Sequence, residues 1–435
     1  MAVPKAGLEP LVDLGVFLEP FGELVRRSES RETMERYATG LLADLGRKTA
    51  AGMGRALPGT NAQRLQEFLT NTEWDWREMN RLRIAHMLEH ASVAGDGVLV
   101  VDDTGFAKKG RHSVGVARQY SGTLGRVDNC QVLVTAHYVD RVFDWPVTGR
   151  LYLPKSWTSE PERRTRAHVP PEVGFQTKGR IGLSLVDEGR AAGIESRAVV
   201  ADPGYGDQAS FLNGLEKRDL PYVVGVSRDT HFRLAEEVEA DPGDGPPPPY
   251  SGRGRPRKPS KLEDRVETYE AVEILDALPE EAWQRVAWRE GTKGPLVKMC
   301  ARVRVFRTAA RGKHLDTEAW LLGERPLPGH RGDRKYYLVH GLDGRGLADF
   351  LELAHVRWVV ERFYQDAKGE LGLDDYEGRL WHGFHRHVAL VMLAHSFLTL
   401  RQTYAPHASS RAPPDGGETA VASPPSPARG FPPEG

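Results

Sequence analysis

The sequence predicts an α/β protein, a mixed sheet with helices on its faces, with a helical region before the sheet and a β-rich insertion within it. Three observations carry this. Residues 8–94 show helical periodicity, as in Leu65, Phe68 and Leu69 and then Met79, Leu82, Ile84, Met87 and Leu88, with no good strand run. From Gly97 the pattern turns to apolar runs at 98–101, 130–136 and, more briefly, 150–153, after which helix and strand alternate. Between 227 and 341 the composition shifts to loops and short strands.

The alternating segment reads as a helix over 177–192, a strand over 198–201, a helix over 208–217 and a strand over 222–226. The insertion carries strands at 301–306 and 336–339 and a Pro/Gly-rich linker at 241–249. Beyond it, one strong helix is expected over 347–368 and an apolar one over 383–404. Residues 406–435 hold eight prolines and four glycines and little to bury, so they are expected to be disordered. At 435 residues the chain exceeds what a single core usually serves. The expected division is a helical unit over 1–95, a sheet domain over 96–405 interrupted at 227–341, and a tail.

Composition excludes several classes. Hydrophobic residues make up 40% and charged residues 27%, as in an ordinary globular protein. The formal net charge is -1, from 59 Lys and Arg against 60 Asp and Glu, so no global positive field draws the chain to nucleic acid and any such attraction must be local. Cys130 and Cys300 lie far apart without CxxC spacing, which argues against a zinc or disulfide framework and fits a reducing cytoplasm. Residues 1–19 lack the basic and apolar regions of a signal peptide, and the apolar run at 388–400 contains His395 and is too short to span a bilayer. A soluble, cytoplasmic protein is expected.

Three acidic sites stand where an alternating sheet exposes them. Asp102 and Asp103 end the first apolar strand, Asp202 ends the strand at 198–201, and Glu361 lies inside the strong late helix. Carboxylates so placed can converge on Mg²⁺ or Mn²⁺, hard cations that take oxygen ligands, and a pair of such ions can drive phosphoryl transfer without a protein nucleophile. Arg357, Glu361 and Lys368 are spaced by four and seven residues and share a helical stripe, which sets the acid between two cations able to hold phosphates.

At these residues the sequence resembles a known family. The stretch from Val101 through Asp102, Asp103, Thr104, Lys108 and Lys109 to Tyr120 and Val132, together with 153–157, 201–206, 368–373 and 376–379, is similar to transposases of the insertion-sequence 701 family. The resemblance covers most of residues 65–400. It implies a ribonuclease H-like, DDE-type enzyme that cuts transposon-end DNA and joins it to a target with Mg²⁺. Its partners are expected to be terminal inverted repeats and target DNA, bound as a homodimer beside the bacterial nucleoid, with the helical unit on the DNA end. The catalytic acids it implies are Asp102 or Asp103, then Asp202 and Glu361. The wider group also carries a Tyr, Arg, Glu, Lys signature. Arg357, Glu361 and Lys368 match it, whereas the Tyr position holds Ala354. A copy that grips DNA without cutting and a resolvase-like nuclease are the competing expectations.

Other features have plainer accounts. Arg253, Arg255, Arg257 and Lys258, in an Arg-Gly-Arg-Pro context extended by Lys261, look like an AT-hook able to enter an A·T-rich minor groove; the alternative is a solvated basic loop. Lys108, Lys109, Arg111 and His112 are expected either to touch phosphates or to form a hairpin tip. Trp74, Trp76 and Trp381 are expected in the core, His382, His385 and His387 on the helix surface or at caps, and Asp374 and Asp375 at a solvated helix end.

Overall fold

The computed structural model describes residues 12–122, 125–243, 261–291, 294–309 and 313–404. Helices come first: α1 (Val12–Leu18), α2 (Ser28–Leu42), α3 (Ala50–Ala56), α4 (Ala62–Thr70) and α5 (Trp76–His90). Strands β1 (Val98–Ala107), β2 (Ala117–Ser121), β3 (Arg126–Val139) and β4 (Asp144–Leu151) follow. Next are α6 (Lys155–Thr158), α7 (Pro161–Arg166), α8 (Lys178–Ala191), β5 (Ala198–Ala201), α9 (Pro203–Gly206), α10 (Ala209–Glu216) and β6 (Tyr222–Val226). Then come β7 (His231–Leu234), α11 (Ala235–Ala240), β8 (Tyr269–Glu270), α12 (Ala271–Asp276), β9 (Gln284–Gly291), β10 (Gly294–Thr308), β11 (His314–Arg325) and β12 (Lys335–His340). The chain closes with α13 (Leu347–His355), α14 (Trp358–Gly369) and α15 (Trp381–Tyr404). The AT-hook-like tract at 253–258 and the tail at 406–435 lie outside the described residues.

The expected mixed sheet is present. Strand β1 pairs antiparallel with β3 and β3 with β4, while β5 lies parallel to β1 and β6 parallel to β5. The order β4-β3-β1-β5-β6, an antiparallel meander followed by two parallel strands, is the ribonuclease H-like arrangement. Both faces of this sheet are covered, which is why 98–101 reads as an unbroken apolar run. Val98 and Val100 enter one core with Phe350, Val360 and Phe363 of α13 and α14, whereas Leu99 and Val101 enter the other with Ile181, Leu185 and Phe211 of α8 and α10.

The expected β-rich strands of 227–341 continue the same sheet: β12 pairs with β6 and the ladder runs on through β11, β10, β7 and β8, so the described strands form one 12-stranded sheet. Two features depart from the sequence expectation. The short strand expected at 150–153 is instead the end of β4, which begins at Asp144. The single helix expected over 347–368 is two, because the helix breaks at Val356 and Arg357. No Gly or Pro marks that break; His355, just before it, is tied to the buried Glu324 of β11 at 2.7 Å.

The early helices share a core with the last one. Phe21, Tyr37, Leu41, Leu65 and Phe68 pack in the same cluster as Phe384, Val388 and Phe397 of α15. Helix α15 is apolar on most sides because β4 lies against it as well as α2, α4 and α5. Fully buried Arg83 fastens α5 into this layer, donating to Val147 O at 2.6 Å and Ser396 Oγ at 3.0 Å.

The loop that leaves β5 is held by close approach. Gly206 of α9 is buried so tightly against β6 that a Cβ there would strike the carbonyl oxygen of Gly225. Gly206→Ala is therefore expected to destabilise the fold by about 1–3 kcal/mol through overpacking. Urea unfolding checks this, and stability equal to wild type would show that α9 and β6 can part at no cost.

Candidate active site

The period-2 geometry of β1 separates the two adjacent aspartates. Val98, Val100 and Asp102 point toward α14, and Leu99, Val101 and Asp103 toward α8. Asp102 is 6% exposed, and its Oδ2 accepts from Arg357 Nη1 at 2.9 Å. Arg357 turns its other terminal nitrogen to Glu361 Oε1 at 2.5 Å, one helical turn on. The break before α14 makes this possible, since it sets Arg357 at the helix N-cap and Glu361 in the first turn, where the positive end of the helix favours an acid. Lys368, in the last turn of α14, donates to Gly105 O at 3.1 Å.

Asp103 is held on the opposite side. Lys178, in the first turn of α8, donates to its Oδ1 at 2.8 Å, and the Tyr205 hydroxyl donates to its Oδ2 at 3.1 Å. Asp202 caps the end of β5, and its buried Oδ1 has no hydrogen-bond partner. Asp102, Asp103, Asp202, Glu361, Arg357, Lys178 and Lys368 line one cavity of about 640 Å³, with Tyr120, Tyr205 and Tyr364 among its walls.

Burial dominates the electrostatics of this cavity. It pushes the Asp102 carboxyl up to about 7, against the opposing pull of Arg357 and with further upward push from Asp202. Asp202 is raised for the same first reason, with Arg357 pulling it down and Asp103 pushing it up. Burial would lower Arg357, but Asp102 and Glu361 together hold it above its ordinary value. Arg357 pairs with Asp102 and Glu361 and Lys178 with Asp103, whereas Asp202 has no ion pair among the described residues, so the four acids of the cavity are only partly compensated.

That deficit bears on the expected metal. The donors are all oxygens, as hard divalent cations require, and the unpartnered Asp202 Oδ1 is an acceptor in want of a partner. Among the described residues these acids do not bring three oxygens within 4.8 Å of one another, and Arg357 stands between two of them. By donor chemistry Asp102, Asp202 and Glu361 would suit a hard divalent cation, with the Arg357 guanidinium here holding Asp102 and Glu361 in its stead.

Other sequence candidates fall differently. Lys109 is exposed beyond the cavity, but Lys108 turns inward and donates to Asp374 O at 3.2 Å and Tyr376 O at 2.8 Å, a structural tie that leaves little for phosphate. Ala354, where a Tyr was expected, is buried. Three phenols line the cavity, Tyr120, Tyr205 and Tyr364, the last bound to Thr135 Oγ1 at 2.5 Å. His385 and His387 are not on the helix surface: both are fully buried, His387 between Tyr37 and Gly372 O and His385 bound to Trp381 O. Trp74, Trp76 and Trp381 are core residues as expected. Sequence reasoning missed Lys178, Tyr205 and Tyr364; Tyr205 stood beside Asp202 in a segment already singled out, while nothing local marked Lys178.

An oxygen-donor cavity over the middle of β1 and the end of β5 of a ribonuclease H-like sheet has the chemistry of the phosphodiester nucleases. The comparisons agree. A profile described as DDE superfamily endonuclease matches residues 20–295, and the chain belongs to that family. The matched span includes Asp102, Asp103, Lys178 and Asp202 and stops short of Arg357 and Glu361. Nucleases of this superfamily use divalent metal ions. A "Probable transposase for insertion sequence element IS701" from Microchaete diplosiphon is 29% identical over 233 residues, 53% of this chain and 58% of the relative. The match thus spans little more than half of that relative's length. The NurA nuclease from Sulfolobus solfataricus aligns over 77% of this chain and 94% of its own, at 9% identity and a TM-score of 0.26, which supports no inference about fold or activity. No helix among the described residues is long and apolar enough to cross a membrane.

The raised Asp102 makes stability pH-dependent. Below about pH 4 the carboxyl is protonated whether folded or not, and its contribution to stability is fully present. Between the ordinary 3.8 and the folded value of about 7, only the folded state keeps the proton, so stability falls as pH rises and levels off above 7. Without divalent metal, wild type is expected to lose about 1.4 kcal/mol relative to Asp102→Asn for each pH unit crossed in that window. Urea unfolding of both proteins at pH 5 and pH 8 measures it. A constant difference would remove burial as the governing effect.

Proposed function

We propose that the protein is a DDE transposase that cleaves transposon-end DNA and transfers the freed strand to a target. The observation that carries this reading is the single cavity in which Arg357 joins Asp102 to Glu361 with Asp202 and two lysines on the same walls. Divalent ions held by Asp102, Asp202 and Glu361, Mg²⁺ or Mn²⁺, would activate the attacking oxygen and stabilise the leaving one. Asp103, neutralised by Lys178 and Tyr205, is read as a positioning residue on the opposite face of β1. Arg357 and Lys368 hold the phosphates on either side of the cut, and Lys178 adds charge to the same wall. None of these roles needs a covalent protein nucleophile.

The similarity to a probable insertion-sequence transposase supports DNA as partner; double-stranded terminal inverted repeats and target DNA, bound by a homodimer, complete the same proposal. Since the net charge is -1, affinity must come from local basic tracts. Lys109 and the tract of Arg253, Arg255, Arg257 and Lys258 are read as such contacts.

Asp202→Asn and Glu361→Gln are each expected to lower Mg²⁺-dependent cleavage of an end substrate by at least about a thousandfold, the scale on which loss of essential catalytic groups is felt, while end binding stays within a few-fold. Gel assays of cleavage and fluorescence anisotropy of binding read the two quantities. Cleavage at the wild-type rate by either variant would take that residue out of the mechanism. Deleting residues 253–261 is expected to weaken binding and flatten its dependence on salt, because fewer phosphates are neutralised; unchanged affinity across a salt series would reject a DNA role for the tract.

A further inference from the structure

Away from the acid cavity, three metal-ligating side chains meet on the last turn of α5. His86, Glu89 and His90 bring two ring nitrogens and a carboxylate oxygen within 4.8 Å of one another. Helical pitch explains the meeting: His86 and His90 are one turn apart, with ring centroids 4.6 Å from each other, and Glu89 Oε2 lies 3.7 Å from His90 Nε2. The three sit on the flank of α5 between the stripe that buries Met79, Arg83 and Met87 and open solvent. The ring of Phe17 from α1 closes one side, 5.8 Å from the His86 ring.

We propose that His86, Glu89 and His90 bind a divalent transition-metal ion of the zinc class, at a site separate from the acid cavity. Two imidazoles and one carboxylate are borderline donors, which favour zinc, cobalt, nickel or copper over magnesium. Three protein ligands leave positions for water, so the ion is exchangeable rather than a closed structural centre. The last turn of α5 adds its own pull, since the carbonyls at a helix C-terminus attract cations. All three ligands lie on α5, and the site stands whether or not the chain transposes DNA.

Titration of the full chain with Zn²⁺ in excess Mg²⁺, followed by calorimetry, tests the site, because excess Mg²⁺ competes for oxygen-only donors and not for imidazole nitrogens. One saturable Zn²⁺ per chain is expected. His86→Ala and His90→Ala should each weaken it by at least about tenfold, while Asp202→Asn leaves it unchanged. Co²⁺ in place of Zn²⁺ should give visible ligand-field bands that both histidine variants lose, with circular dichroism showing that the variants fold. Zn²⁺ binding equal to wild type in both histidine variants, loss of the site in Asp202→Asn, or no saturable binding under Mg²⁺ would each overturn the proposal.

Discussion

Arg357 sets one guanidinium between Asp102 and Glu361, and much of the surrounding structure follows from keeping that charge balanced. Asp102 is nearly fully buried, where a bare carboxylate is costly unless paired or protonated. Arg357 must therefore arrive from the right direction. A straight helix through 347–368 would carry it in continuous register with α13, whereas the break at Val356 and Arg357 gives α14 its own first turn. The tie from His355 to Glu324 holds the near side of that break, so a strand two places beyond β6 in the sheet bears on the pose of the helix that carries Glu361. The same guanidinium explains why the acids stand apart: it already supplies part of the positive charge that a divalent ion would bring.

How far the sequence foretold this depends on what kind of signal each element left. Strands β1, β5 and β6 and helices α8 and α10 were legible because apolar runs and helical spacing arise locally. The acids were legible for the same reason, although Asp102 and Asp103 lie in the middle of β1 and do not end it, because the strand runs on to Ala107 against β3. The choice between Asp102 and Asp103 was not, because both faces of β1 are buried and no in-and-out alternation labels them. Asp102 faces the helix that carries Arg357 and Asp103 faces Lys178 of α8, and that placement is a tertiary fact.

Two misreadings share a cause. His385 and His387 look like surface residues on an amphipathic helix, yet α15 is covered by β4 on one side and early helices on the other. Their rings are satisfied by partners remote in sequence, such as Tyr37, and burial keeps them neutral, with His385 pushed down to about 3 and His387 to about 4. Lys108 misled in the same way, since carbonyls of the 374–376 loop claim its ammonium. In each case a polar side chain was given to solvent when another segment of chain was waiting for it.

The continuous ladder from β5 through β6 to β12, β11 and β10 has a mechanical consequence. Strands spaced about 4.8 Å apart along a hydrogen-bonded sheet act as a ruler, so the outer strands keep a set distance from Asp202 and cannot swing as a tethered module would. A macromolecule gripped out there is presented to the acids at a fixed offset, and any adjustment in fit has to come from that molecule bending rather than from the protein folding around it.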